Sequence, residues 1–214
     1  MNGGVGYVVE NLPSIGMRTL EHLGVVGAAL LVAAPTGLAI GIALSRPATA
    51  RLRGLALVLL GLGQTIPSIA ILALAIGLVG IGMLPAIGAI ALYAVIPVAR
   101  GTTIGLLGVD EAVIDAARGL GMSAAQIIRR IEFPLALPVV IGGLRLASVG
   151  AISAGALGYL VGAGGLGEFI FTGVSLLRPE AMLAGGIPAI LIALAADYLF
   201  DRVERRATWR NHAQ

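Results

Sequence analysis

Ser153 stands in Ala151-Ile-Ser153-Ala-Gly155, a near match to a nucleophile elbow, and would be the reacting hydroxyl of an intramembrane serine hydrolase. That chemistry needs a general base, yet His22 and His212 lie at opposite ends of the chain and neither is near Ser153 in sequence. Small residues at this spacing read instead as close helix packing. Gly162, Gly164 and Gly167 reproduce the spacing of a dinucleotide-binding loop, without the strand and βαβ setting that such a loop requires. They predict a flexible turn. Two distant histidines and no cysteine exclude a local metal-ligand set, a disulfide and thiol chemistry. All 14 basic residues are arginine. Without lysine there is no P-loop for a nucleotide's phosphates and no Schiff base. If this chain takes part in ATP-driven work, another chain holds the ATP.

What remains is a charged stretch, Asp110 to Pro138, in a chain that is 58% hydrophobic and only 12% charged. Asp110 and Glu111 suit an N-cap and the first turn of a helix. Val113, Ala116, Ala117 and Leu120 recur at helical spacing and give it one narrow apolar face. Gly119 and Gly121 bracket Leu120 and supply a stop. Ser123-Ala-Ala-Gln126 is a capping box that restarts a second short helix, which carries Arg129 and Arg130 and runs into Pro134. The expectation is helix, glycine turn, helix, proline, outside the lipid.

These residues resemble the cytoplasmic loop signature of the membrane subunits of binding-protein-dependent ABC importers. The family pattern is Glu-Ala-Ala, three positions, Gly, nine positions, Ile, one position, Leu-Pro. Here Asp115-Ala116-Ala117 is followed by Gly121, Ile131, Phe133 and Pro134 at the matching positions, with Asp115 in place of glutamate and Phe133 in place of leucine. The resemblance implies a coupling helix seated in a groove of a separate cytoplasmic ATPase. Gly119, Gly121 and Pro134 would then set its geometry, Ala116, Ala117 and Ile131 its apolar contacts, and Asp115, Arg118, Arg129 and Arg130 its polar ones. It implies no cofactor on this chain, with ATP and Mg on the partner. An amphipathic helix lying on the bilayer would not require this spacing.

The elements around the loop are membrane spans. A mean hydropathy of +1.00 with so few charges places the chain in the bilayer. One span is expected between Glu21 and Arg46, with Pro35 and the close-packing pair Gly37 and Gly41 inside it. No charge separates Arg53 from Arg100, which leaves room for two more spans, turning near Gly80 to Pro85. The third starts about Leu84 and continues towards Leu107; the fourth covers Leu137 to Val161 and the fifth Ala181 to Phe200. The fold class is therefore all-α and integral to the membrane, with about five transmembrane helices of the type I ABC importer permease kind that the resemblance implies. The expected organisation is an extracytoplasmic or interfacial segment 1–22 and a permease domain 23–206 with a cytoplasmic coupling loop 108–136. A cytoplasmic tail, 207–214, completes it. Val8, Leu12 and Ile15 suggest a short interfacial helix, and no cleavable signal peptide precedes them. With the loop in the cytoplasm, 12 arginines fall on that side and only Arg18 and Arg178 on the other. The N-terminus is then outside and the C-terminus inside a bacterial-type cytoplasmic membrane. Topology explains the pI of about 9.9, and no nucleic acid is implied.

Gln64, Thr65, Pro67 and Ser68 put a polar cluster in the middle of the second span, where it is costly unless it faces protein or water. With Tyr93, Ser148 and Ser153 it forms the candidate lining of a translocation pathway; a kinked helix satisfied by its neighbours is the alternative. Gln64 to Ser68, Pro97 with Arg100, Ala116 to Met122 and Gly162 to Gly167 together resemble permeases for glycine betaine, carnitine and choline. The similarity runs from about Thr19 to Arg206. It implies a second permease subunit, identical or related, a cytoplasmic ATPase dimer, and an extracytoplasmic solute-binding protein, expected as a separate chain. With one tryptophan, four tyrosines and four phenylalanines, the chain is poor in rings for a quaternary-amine cage. Tight recognition is expected in the binding protein, and alternating access in the spans. A permease for another small solute such as an amino acid, an intramembrane serine hydrolase and a passive channel are the competing readings. Uptake of the wrong solute, cleavage lost in Ser153→Ala, and flux without an ATPase would respectively favour them.

Overall fold

The computed structural model describes residues 2–212, with side chains described for 4–208. The side chains of Arg210 and His212, and the last two residues of the expected tail, lie outside that range. The described residues are helical apart from short connections. Ten α-helices follow in order: α1 (Asn2–Glu10), α2 (Leu12–Ser45), α3 (Ala50–Gly63), α4 (Ser68–Val79), α5 (Met83–Leu107), α6 (Glu111–Gly119), α7 (Ala124–Ile127), α8 (Phe133–Leu157), α9 (Gly167–Ser175) and α10 (Pro179–His212). Four stretches, Leu12–Ser45, Met83–Leu107, Ala124–Val161 and Pro179–Thr208, are long and apolar enough to cross a membrane; Pro47–Gly63 with Ser68–Val79 is a bent pair that makes a fifth if the two count as one span.

Several expectations change in detail. The second span is interrupted rather than kinked, because α3 ends at Gly63 and α4 starts only at Ser68. Pro67 has no N–H and disfavours helix at Ile66. Thr65 turns its hydroxyl back onto the Leu62 carbonyl at 2.7 Å, and Ala70 N–H donates to the Pro67 carbonyl at 2.8 Å to open α4. Nor does Pro134 end a helix. The chain passes from α7 through a π-helical turn, Ile128–Glu132, straight into α8. Pro134 forgoes one backbone bond, and the wider turn before it relieves the clash of its ring. Val8 lies in α1, whereas Leu12 and Ile15 belong to α2, which starts well before Glu21. The short helix α9 has no counterpart among the expected elements.

The chain divides into two compact units whose boundaries fall inside α2, α5, α8 and α10 and at the break after Thr65. The first comprises 1–33, 66–94 and 148–197. Its interior is mostly small: Ala29, Ala33, Ala86, Ala94 and Ala151 are fully buried, together with Ile90 and Leu166. In lipid the hydrophobic effect does not drive helices together, so close packing of small residues takes its place. The turn expected to be flexible is tied down here. Gly162, Gly164 and Gly165 take positive φ, where other residues are strained. Gly165 N–H donates to Glu21 at 3.0 Å, and Arg18 bridges Glu21 at 2.8 Å and Glu168 at 2.7 Å. His22 is buried in the same unit, with Nε2 on the Ile152 carbonyl at 3.1 Å.

The second unit comprises 34–65, 95–147 and 198–214. Leu106, Ala136 and Val140 form its core, with Leu38, Ile42, Val109 and Leu144 packed around them. The expected Gly37 and Gly41 pair meets α5. A Cβ on Gly37 would lie 2.6 Å from Val98 Cβ, and one on Gly41 would strike Thr102 and come 2.8 Å from the Ala99 carbonyl oxygen. Gly41→Val is therefore expected to destabilise the protein by roughly 1–3 kcal/mol through overpacking. Gly54→Ala, where nothing lies within 4 Å, should be close to neutral. Thermal unfolding in detergent compares the two, and equal midpoints would refute this reading of the α2–α5 contact.

Candidate functional site: the coupling segment

The second unit presents the segment from Asp110 to Pro134 on a series of satisfied helix ends. Asp110 caps α6 by accepting from Ala112 N–H at 2.9 Å. Glu111 in the first turn and Arg118 in the last complement the helix dipole. At the other end Gly121, with φ +77°, closes a Schellman motif. Its N–H donates to the Arg118 carbonyl at 2.9 Å, and Met122 N–H donates to that of Ala117 at 3.2 Å. Ser123 and Gln126 then complete the capping box in both directions, at 2.8 and 3.4 Å. Backbone groups that would otherwise need water are thus used up locally, and the two helices keep a fixed geometry while standing largely in solvent.

The apolar face anticipated for α6 is split. Ala117 is buried against its own chain, whereas Val113 is 41% and Leu120 83% exposed. A leucine left that open is a contact waiting for a partner or a lipid surface. Asp115 and Arg118 pair at 2.7 Å, but both side chains are more than half exposed. Such a pair adds at most about 1 kcal/mol to the fold and exchanges readily for contacts with another protein. Ala116, Gly119, Arg129 and Arg130 are exposed as well, Ile131 is half-buried and Pro134 exposed at the start of α8.

The base of the segment is anchored by residues that the sequence reading did not single out. Glu132, only 6% exposed, accepts from Arg46 at 2.5 Å. Arg46 also donates to the Ser45 hydroxyl at 2.7 Å. Arg53 reaches back to the carbonyls of Leu44, Ser45 and Arg46 at 2.8–3.2 Å, completing the C-terminal end of α2. One available signal was the acid itself: an ionisable residue among Ile131, Phe133 and Leu135 needs a named partner.

The expected pathway residues are shared between the two units. Gln64 and Thr65 belong to the second unit; Pro67, Ser68, Tyr93, Ser148 and Ser153 belong to the first. Tyr93 lies against Gly150, Ser148 is buried on α8, and Ser153 spends its hydroxyl on the Val149 carbonyl at 3.1 Å. A Ser153 nucleophile gains no support from that arrangement. Gln64 instead borders a groove of about 410 Å³ in the second unit, together with Pro97, Arg100, Ile104, Val139 and Glu204.

Comparison with known proteins agrees with this architecture. The inward-facing MetNI methionine ABC transporter contains a chain that superposes with a TM-score of 0.80 at 23% identity, covering 97% of this chain and 99% of that one. That is the fold of an ABC importer permease. Residues 36–209 match the family of inner membrane components of binding-protein-dependent transport systems. The chain belongs to that family: it is a multi-pass membrane permease, a transport subunit and not an enzyme. The carnitine transport permease protein OpuCB of Listeria monocytogenes is 36% identical over 97% of this chain and 94% of its own. The choline transport system permease protein OpuBB of Bacillus subtilis is 35% identical over 95% and 93%. The osmoprotectant import permease protein OsmY of Salmonella typhimurium is 37% identical over 90% and 86%.

Proposed function

We propose that this chain is the permease subunit of an ABC importer for osmoprotectants, with glycine betaine, carnitine and choline as the solutes. The observation that carries the proposal is the coupling segment, doubly capped and with Leu120 and its arginines exposed, in a chain whose relatives serve carnitine, choline and osmoprotectant transport. Two permease subunits, identical or related, surround the path. A cytoplasmic ATPase dimer, holding ATP and Mg, receives Asp115 to Arg118 and Arg129 to Ile131 of each, while an extracytoplasmic binding protein delivers the solute. Closure of the ATPase on ATP moves the segment, and its rigid joint to α8 converts that motion into alternating access. Residues 1–22 lie at the extracytoplasmic side, 23–206 form the permease with its coupling loop at 108–136, and the tail from 207 is cytoplasmic, as the arginine distribution supports.

The test is uptake of labelled glycine betaine, carnitine and choline by salt-stressed cells producing the chain with its ATPase and binding protein. Accumulation of one or more of them that depends on this chain is the expected result. Accumulation of none, with uptake of an amino acid in their place, would move the solute assignment to the amino-acid reading and leave the coupling assignment intact. In the same assay Gln64→Leu should lower uptake several-fold without loss of ATPase association; unchanged uptake would remove Gln64 from the path.

A further inference from the structure

The groove beside Gln64 carries opposite charges on its two walls. Its floor is glycine: α5 and α8 approach so closely there that a Cβ on Gly101 would lie 2.9 Å from Gly143 Cα. Arg100, exposed at one wall, has a guanidinium nitrogen 3.8 Å from the position of a Cβ on Gly61, on the α3 side. Among the described residues it has no carboxylate partner. Glu204, from α10, stands at the other wall, with Oε1 3.7 Å from the position of a Cβ on Gly142. Of the cations near it, Arg145 is 3.6 Å away and makes its closer contact with Asp201 at 3.1 Å, and Arg205 pairs with Asp201 at 2.7 Å. The carboxylate of Glu204 therefore keeps capacity for a second cation. Gln64 adds an amide, and Pro97, Ile104, Val139 and Leu146 supply apolar wall. Among the described residues no aromatic ring lines the groove.

A solute with opposite charges at its two ends matches this layout. We infer that the groove is a binding site for a zwitterion bearing a carboxylate and a quaternary ammonium group. The carboxylate accepts from the Arg100 guanidinium and the Gln64 amide, and charge-assisted bonds of this kind are the strong ones. A quaternary ammonium has no N–H to donate, so Glu204 holds it by charge alone while the apolar walls contact its methyl groups. About 410 Å³ falls within the range of small-molecule sites. A site with no ring among its described walls binds weakly, as a passage must if its cargo is to leave. The inference rests on the osmoprotectant reading and deepens it: the site distinguishes zwitterions from choline, which has an ammonium but no carboxylate.

The assembled transporter, at saturating solute and saturating binding protein, provides the test. Arg100→Gln should lower the uptake rates of glycine betaine and carnitine at least about tenfold, the scale of one lost charge-assisted bond, and leave that of choline unchanged. Arg100→Lys should restore much of the loss, and Glu204→Gln should lower all three. Equal losses for choline and the zwitterions in Arg100→Gln would overturn the site and make Arg100 structural. Unchanged zwitterion uptake would overturn it too. If the wild-type transporter takes up none of the three, the osmoprotectant reading fails and this inference fails with it. If the wild type transports them but Arg100→Gln does not discriminate, only the inference fails.

Discussion

Gly121→Asp is expected to reduce uptake at least about tenfold while the protein remains folded in the membrane. Gly121 has φ +77°, and an L-residue there costs roughly 1–2 kcal/mol. That is too little to unfold a domain but enough to shift the turn that joins α6 to α7. A Cβ at this position would meet nothing within 4 Å in the chain itself, so the substitution breaks no internal packing. What it changes is the surface beside Leu120 and Met122, where it places a negative charge next to the apolar patch proposed to dock. Gly121→Asn isolates the charge, since asparagine and aspartate tolerate the left-handed conformation alike and only aspartate is charged. It should retain most of the uptake that Asp removes. Co-purification of the ATPase and solute uptake are the measurements. Normal association with normal uptake in Gly121→Asp would withdraw the coupling role.

Arg46→Ala should be the most destabilising single change at the site. It strands Glu132, 6% exposed, without the guanidinium that holds it at 2.5 Å. Leaving one half of a fully buried pair costs about 3–5 kcal/mol, and the lower end applies here because the Arg46 side chain is 28% exposed, whereas replacing both halves with apolar side chains is often neutral. The double variant Arg46→Met, Glu132→Met should accordingly unfold nearer the wild-type temperature than Arg46→Ala does. Glu132→Gln, which keeps a hydrogen-bonding group, should fall between them. A double-mutant cycle in detergent reads the coupling directly. Additive effects would mean that the ion pair does not hold the π-helical turn against the end of α2.

Legibility in the sequence followed the range of the interactions. The coupling segment was readable almost residue by residue, because its caps, its capping box and its glycine stop join groups at most five positions apart. Four of the five spans were readable because lipid forces backbone groups to bond within the segment, leaving long uncharged runs as the mark. The glycine pair at Gly37 and Gly41 announced a close contact without naming its partner. Errors arose where two local tendencies competed. Pro134 looked like a terminator, yet the helix runs on through it, and the kinked helix offered as the alternative around Pro67 is a break between α3 and α4.

The sequence by itself determined the class of protein, the number of apolar runs and the local build of the segment from Asp110 to Pro134. The tertiary structure alone decided which distant side chains meet: Arg46 with Glu132, Arg18 with both Glu21 and Glu168, Arg100 and Glu204 across a glycine floor. It also divided the proposed pathway residues between two units. Helix rotation and register set such pairings through glycine and alanine contacts, and small side chains carry no pattern that names what they touch.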